Sequence, residues 1–475
     1  MNPRYRSENA VSYAQTLSPP AQAGSVPQMD YDDAPLRPFH LRVCVASTGG
    51  VFADGFGLGI IGIALSLAAP ELRLGAVWIG LIGGASLAGL FAGALVTGPT
   101  ADRFGRRPIF ACNMLCVAAL SALQFSVASI TELFLLRLGI GFLLGTDYVV
   151  SKTLLTEFVP LRVRGRILGL LSVAWAGGYA CAYLVGFVLS SLGPQSWRWM
   201  LLASAAPCLL IAPLRITLPE SPLWLANHDR ADEAARVVRA KLGADIRPPA
   251  RIPAAVNRTG RWRQLLSARS RTRTLLGCTF FTCQVIPYFA VGTFVTQVMT
   301  ALNLKSRSGG GLIYNLALFG GAIAGLLIVD RISRRAFLIG SFSAAGVTML
   351  ILSVDPNLPA GATILLFAMF AGVLSAASNL CYVYLPELFP TDLRASGIGL
   401  AVAASRIGSA ASTFVLPLVV SAYGVRSALG ACVAVLAIGA VACQRWAPET
   451  RFQSLQALDR EAASGRMDSD SLESP

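Results

Sequence analysis

Twelve apolar runs, each long enough to cross a lipid bilayer, constrain this chain more than any other feature. They fall at about 43–70, 77–99, 108–128, 131–155, 166–190, 197–217, 274–300, 309–330, 335–354, 361–386, 395–422 and 426–447. A bilayer core about 30 Å thick needs roughly 20 apolar residues per helix. Lipid offers no partner for an unpaired backbone amide, so such runs must be helices. Only 13% of the residues are charged, against about 25% in soluble domains. Core helices of a soluble protein would alternate with amphipathic ones and would rarely reach this length repeatedly. The expected fold is therefore all-α, with twelve transmembrane helices.

The net charge of +14 is a strip beside a lipid surface and not a nucleic-acid footprint, because the arginines sit in short turns between apolar runs. Arg103, Arg106 and Arg107 follow the second run; Arg162, Arg164 and Arg166 the fourth; Arg331, Arg334 and Arg335 the eighth. The polar stretch 218–273 adds more, among them Arg230, Arg236, Arg239, Arg261, Arg263, Arg271 and Arg273. The opposite turns carry little, so the positive-inside rule puts both termini in the cytoplasm. The expected layout is a disordered tail over 1–40, a six-helix half over 41–217, a cytoplasmic loop over 218–273, a second six-helix half over 274–447 and a tail over 448–475. Within the loop, 227–242 reads as a solvated amphipathic helix on the inner membrane face.

An internal repeat ties the halves together. Asp102-Arg103-Phe104-Gly105-Arg106-Arg107 returns as Asp330-Arg331-Ile332-Ser333-Arg334-Arg335, Glu157-x-x-Pro160-x-x-x-Arg164 as Glu387-x-x-Pro390-x-x-x-Arg394, and Pro219-Glu220-Ser221 as Pro448-Glu449-Thr450. All three recur at offsets of 228 to 230 residues. An acid beside arginines at a short turn can hold helix ends through charged hydrogen bonds and helix-end dipoles. Asp102, Arg106, Arg107, Glu157, Arg164, Asp330, Arg334, Glu387 and Arg394 are thus candidates for a conformational latch. The competing reading is a purely topogenic cluster, to which an acid adds nothing.

Charges inside the spans are costly, about 2.5–3.5 kcal/mol each at the bilayer centre, and are functional candidates by default. At about 1.5 Å per residue, Asp54 lies roughly 18 Å beyond Arg42, Asp147 roughly 15 Å inward of Glu157, and Arg406 roughly 18 Å beyond Arg394. Asp54 and Asp147 are the candidate proton carriers; the alternative is a permanent buried pair with Arg137 or Arg406. Arg137 reads either as a substrate contact or as an interfacial anchor. Lys152, near the end of its run, reads best as a side chain that snorkels to water. Gln284 stands 230 residues after Asp54, and Tyr288 shares its helical face. Both are candidate substrate contacts, with Arg406, Arg137 and Asn379; Tyr382, Trp175, Tyr179 and Asn315 carry less weight. The ten cysteines form no Cys-x-x-Cys pair, and only two histidines are present. No metal site, cofactor or nucleophile–base pair is expected, which argues against an enzyme.

These motifs together resemble the major facilitator superfamily, in its sugar-porter-like branch of bacterial metabolite:proton symporters. The stretches Gly98–Arg107 (GPTADRFGRR), Pro219–Leu225 (PESPLWL) and Tyr384–Gly397 (YLPELFPTDLRASG) look like that family's hallmarks. The resemblance implies two parallel six-helix halves and a midplane site between them, with spans one, four, seven and ten, and so Asp54 and Asp147, lining the cavity. It implies proton-coupled uptake of a small polar or anionic metabolite by a monomer in the bacterial inner membrane. Drug or metabolite efflux by proton antiport, and a non-transporting sensor, are the alternatives. Gly57 replaces the second acid of the aromatic-acid symporters' Asp-Gly-x-Asp, and Gln284 stands without the paired glutamine of hexose porters. Both departures point away from a simple benzoate and from a hexose.

Overall fold

The computed structural model describes residues 29–250, 264–267, 270–302, 310–329, 331–355, 358–389 and 393–450. Asp330 and the side chain of Arg394 lie outside the described residues, as do 1–28 and 451–475.

All twelve expected spans are helices. Span one is Pro38–Glu71, span two Ala76–Phe104, span three Arg107–Ser126, span four Ile130–Phe158, span five Leu161–Leu192 and span six Ser196–Ile216. The second set is Arg271–Thr293, Gly310–Ile328, Arg334–Val354, Ala360–Glu387, Ser396–Tyr423 and Val425–Trp446, spans seven to twelve. Several exceed the hydrocarbon thickness: 34 residues in span one and 29 in span four correspond to about 51 and 44 Å. Leu95, Leu135, Leu209, Leu210 and Leu327 are exposed on the outer surface, as lipid-facing positions require.

The segment before span one is not all tail. Met29 pairs with the central loop, donating its N–H to Asp245 O (2.9 Å) and accepting from Arg247 N–H (2.8 Å). Arg37 donates to both Asp245 carboxylate oxygens at 2.8 and 2.6 Å. Tyr31 donates its hydroxyl to Glu157 O at 2.9 Å, and Asp32 pairs with Arg164 at 3.2 Å. Burial, followed by the neighbouring Glu157 carboxylate, pushes the Tyr31 phenol well above its usual value, so it stays a neutral donor at any physiological pH. Residues 29–37 thus strap the loop to the ends of spans four and five. The Arg37–Asp245 pair is about one-third exposed, and Arg37→Ala is expected to cost no more than about 1 kcal/mol, read as a small drop in Tm.

The expected amphipathic helix is Ala231–Lys241. Its Ala234 packs with Trp224, Leu225 and Ala226 of the short helix Pro222–Asn227, and Trp224 Nε1 donates to Asp102 O at 2.9 Å. Its apolar face is therefore covered by protein.

The two halves meet most tightly at the ends away from the arginine-rich turns. A Cβ on Gly62 of span one would fall 2.0 Å from Thr293 O of span seven, so only glycine permits this approach. The Tyr183 and Thr296 hydroxyls bond across the same seam at 3.1 Å. Gly62→Val is expected to pry the seam apart at a cost of about 1–3 kcal/mol, measurable as a lower Tm of the purified protein.

Candidate functional site

A charged cluster lies inside the first half. Asp147 of span four is buried, as is Arg215 of span six. The guanidinium engages the carboxylate through both terminal nitrogens, Nη1 to Oδ1 and Nη2 to Oδ2, the second at 3.0 Å. Arg215 Nε also donates to Ala46 O at 3.1 Å, and Ser151 Oγ donates to Asp147 Oδ2 at 2.9 Å. The guanidinium crosses span one directly at Gly50, where an added Cβ would sit 1.5 Å from Nη2. Asp54 lies within electrostatic reach of both partners. It is fully buried, no N–H or hydroxyl group of another residue type donates to either oxygen, and it lies close enough to Asp147 for the two carboxyls to share a proton. One carboxylate is thus paired with an arginine and the other has no N–H donor.

The partner of Asp147 is therefore Arg215, and neither Arg137 nor Arg406 pairs with either acid. Arg137 is fully buried and donates from Nη2 to Gly57 O at 3.0 Å, while Nε and Nη1 have no partner. It is no interfacial anchor. Gly57 is three residues past Asp54, so those idle N–H groups lie about one helical turn along span one from the acid.

Between the halves is a narrow cavity of about 60 Å³, smaller than the usual ligand range of about 300–1,000 Å³, so a bound cargo must part its walls. Tyr148 of span four, Trp175 of span five, Gln284 and Tyr288 of span seven, Tyr382 of span ten and Arg406 of span eleven line it. Asp54 and Asp147 do not line it, contrary to the expectation from the family fold. They lie with Arg215 among spans one, four and six, and Asp147 points away from Tyr148 because successive residues of a helix point about 100° apart. Gln284 is held by span ten, donating to Leu374 O at 3.3 Å and accepting from Cys381 Sγ at 2.7 Å. Asn379 is not on the wall either. Its Nδ2 donates to Ala322 O at 3.1 Å, stitching span eight to span ten. Asn315 likewise donates to Gly311 O of its own helix at 2.8 Å. Arg406 is buried with its Nε unpartnered, 5.1 Å from the Tyr148 ring centroid and 5.9 Å from that of Phe289.

Lys152 does not snorkel to water. Its ammonium lies 3.6 Å from the Tyr148 ring centroid and 4.3 Å from that of Tyr382, both cavity residues. Sequence position alone favoured the membrane edge; two tyrosine faces, attractive to a cation, draw the head inward.

The repeated motifs form two matching clasps. In the first, Glu220 accepts the N–H groups of Arg106 and Arg107 at 3.0 Å each, at the start of span three. Arg106 bridges Asp102 at 2.9 Å and Glu157 at 3.3 Å. In the second, Glu449 accepts the N–H groups of Arg334 and Arg335 at 3.1 and 3.3 Å and the Ser333 hydroxyl. Arg334 stands 3.9 Å from Glu387. Arg164 instead pairs with Asp32 of the strap. Each clasp places carboxylates at a helix N-terminus, where the dipole favours them, and the contacts named here lie within one half each. Glu220→Gln is expected to cost about 1 kcal/mol, seen in thermal unfolding.

Twelve spans in two pseudo-symmetric halves around a central cavity define a secondary transporter of the major facilitator type. Residues 43–462 match the family model described as sugar (and other) transporter, and the chain belongs to that family. It is 39% identical over 426 residues to the inner membrane metabolite transport protein YgcS of Escherichia coli (strain K12), covering 90% of this chain and 95% of that one. It is 35% identical over 432 residues to the putative metabolite transport protein YaaU of the same organism, covering 90% and 96%. Among solved structures, a partially occluded inward-open form of the xylose transporter XylE from E. coli superposes with a TM-score of 0.73 at 18% identity, covering 88% of this chain and all of that one. The chain is thus a multi-pass transporter of metabolites in the bacterial inner membrane, and not an enzyme.

Proposed function

We propose that the protein couples proton entry to uptake of a small polar or anionic metabolite, with both termini cytoplasmic. The observation that carries this reading is Asp54, a fully buried carboxyl with no N–H donor on either oxygen, beside a saturated Asp147–Arg215 pair. One arginine neutralises one carboxylate. The second carboxyl is most stable there as a neutral acid, and ionises only when water or another cation reaches it. Arg137, with two idle N–H groups near Gly57, is the cation within the first half that a small helix movement can bring to it. Asp54 is thus the proton carrier and Asp147 its electrostatic partner.

Span four links this cluster to the cargo, because Asp147 faces the cluster while Tyr148 faces the cavity. Arg406, Gln284 and Tyr288 contact the cargo, and the buried guanidinium of Arg406 favours an organic anion. The two clasps keep each half rigid while the halves rock about the cavity. A cationic cavity suits an anion better than the broad apolar cargo of a drug exporter.

Proteoliposomes with an entrapped pH dye test the coupling against a panel of sugars, carboxylates and aromatic acids. Cargo entry is expected to acidify the lumen beyond protein-free vesicles. Labelled cargo entering with no pH change would refute the coupling.

A further inference from the structure

We infer that Lys152 is the second anion-reading cation of the cavity, and that the cargo is a carboxylate borne on a flat, apolar-faced body. This rests on the central cavity being the cargo site. Lys152 and Arg406 come from different halves and flank one ring: Tyr148 lies 3.6 Å from the ammonium and 5.1 Å from the guanidinium carbon. The two cations are within electrostatic reach of each other. Among the described residues no carboxylate forms an ion pair with either one.

Two like charges in a space poorly screened by water repel strongly. Buried cations are otherwise paired, and tyrosine faces offset only part of the cost. The missing anion is supplied by the cargo. A carboxylate has two oxygens and can accept from the ammonium and the guanidinium at once, whereas a neutral sugar leaves the repulsion in place. The rest of the cavity fixes the body of the ligand. Trp175 and Phe289 meet edge to face with centroids 6.4 Å apart, and Tyr288 stands against Phe289 at 5.2 Å, giving walls that match flat apolar faces. The Ser172 and Ser378 hydroxyls, bonded to each other at 3.1 Å, and the second amide N–H of Gln284 leave places for one further polar atom.

The Lys152 contacts also tie charge selection to the seam between the halves. Its ammonium touches Tyr382 of span ten while its backbone belongs to span four, so the cation sits across the interface that must open during transport.

The test uses the purified full-length chain and pairs of ligands that differ in charge but hardly in shape, with simple benzoates set aside because Gly57 at the second acid position points away from them: nicotinate with nicotinamide, and indole-3-acetate with indole-3-acetamide. Glucuronate with glucose serves as the pair without a flat body. Binding is read by ligand-dependent Tm and tryptophan fluorescence at neutral pH. At least one flat carboxylate is expected to bind about tenfold more tightly than its amide. Lys152→Met is expected to shrink that ratio to less than about threefold, and Lys152→Arg, which keeps the charge, to restore most of it. Amides binding as tightly as acids, no flat carboxylate binding at all, or an acid preference untouched by Lys152→Met would each overturn the inference. So would glucuronate binding as tightly as the flat acids, for the shape of the body. Loss of proton coupling alone would leave these equilibrium preferences intact, so the two readings fail separately.

Discussion

Arg215→Leu is expected to destabilise the protein by about 3–5 kcal/mol, the usual cost of removing one partner from a buried ion pair. The guanidinium is the cation paired with Asp147, and Asp54 stands beside the pair. It also satisfies Ala46 O of span one and Ser151 Oγ of span four, at 3.1 and 3.2 Å. Its loss therefore loosens three spans at once, and Phe110 of span three, whose ring centroid lies 4.0 Å from the guanidinium carbon, loses its partner too. The measurement is reversible unfolding in mixed micelles, or Tm where unfolding is irreversible. Arg215→Leu combined with Asp147→Leu removes both charges and is expected to recover most of the loss, because replacing a whole buried pair by apolar side chains is often near neutral. A single mutant as stable as the wild type would show that the pair is not buried as described.

How much of this was legible beforehand follows from what each feature depends on. The spans depend on local composition and run length, so all twelve were readable. The clasps recur in sequence, so Arg106, Arg107, Glu157, Arg334 and Glu387 stood out. Glu220 and Glu449, the acids that accept the helix N–H groups, lay in the repeat but not among the latch candidates, and Arg164 turns to Asp32 in the strap, a segment whose polar composition resembled a tail. Arg215 was missed for a physical reason. An arginine at the end of a span looks like a topogenic flank, and nothing local says that its side chain turns inward. Depth counted along span four was also misleading. At 29 residues that helix overshoots a bilayer core of about 30 Å, so Asp147 is shallower than its distance from Glu157 implies and lies within reach of the end of span six. The same overshoot matters little for Lys152, whose position is set by two rings from different halves. Pairings between distant segments of the chain leave no periodic signal, and the buried charges of this protein are mostly such pairings. A cheap signal did exist: two first-half carboxylates at depth, with Arg137 the one arginine at comparable depth in that half, left one partner unassigned.

Asp54→Asn is expected to abolish accumulation against a gradient while leaving exchange intact. One proton moving through one pH unit supplies about 1.4 kcal/mol, or tenfold accumulation of a cargo coupled one to one. The wild type is therefore expected to concentrate labelled cargo about tenfold per imposed pH unit at that stoichiometry. Asparagine has nearly the shape of the protonated acid and cannot ionise, so the mutant's cluster stays in the proton-loaded form. Its cargo should equilibrate to equal concentrations, and counterflow of labelled against unlabelled cargo should continue, because the Lys152 and Arg406 side of the cavity is untouched. Asp147→Asn differs in kind. It strands the Arg215 guanidinium, so its first effect is a fall in stability of the size expected for Arg215→Leu, and its loss of transport follows from that. The order of effects separates the two acids: Asp54→Asn melts near the wild-type temperature yet cannot accumulate, whereas Asp147→Asn melts early. Full accumulation by Asp54→Asn would remove Asp54 as the carrier.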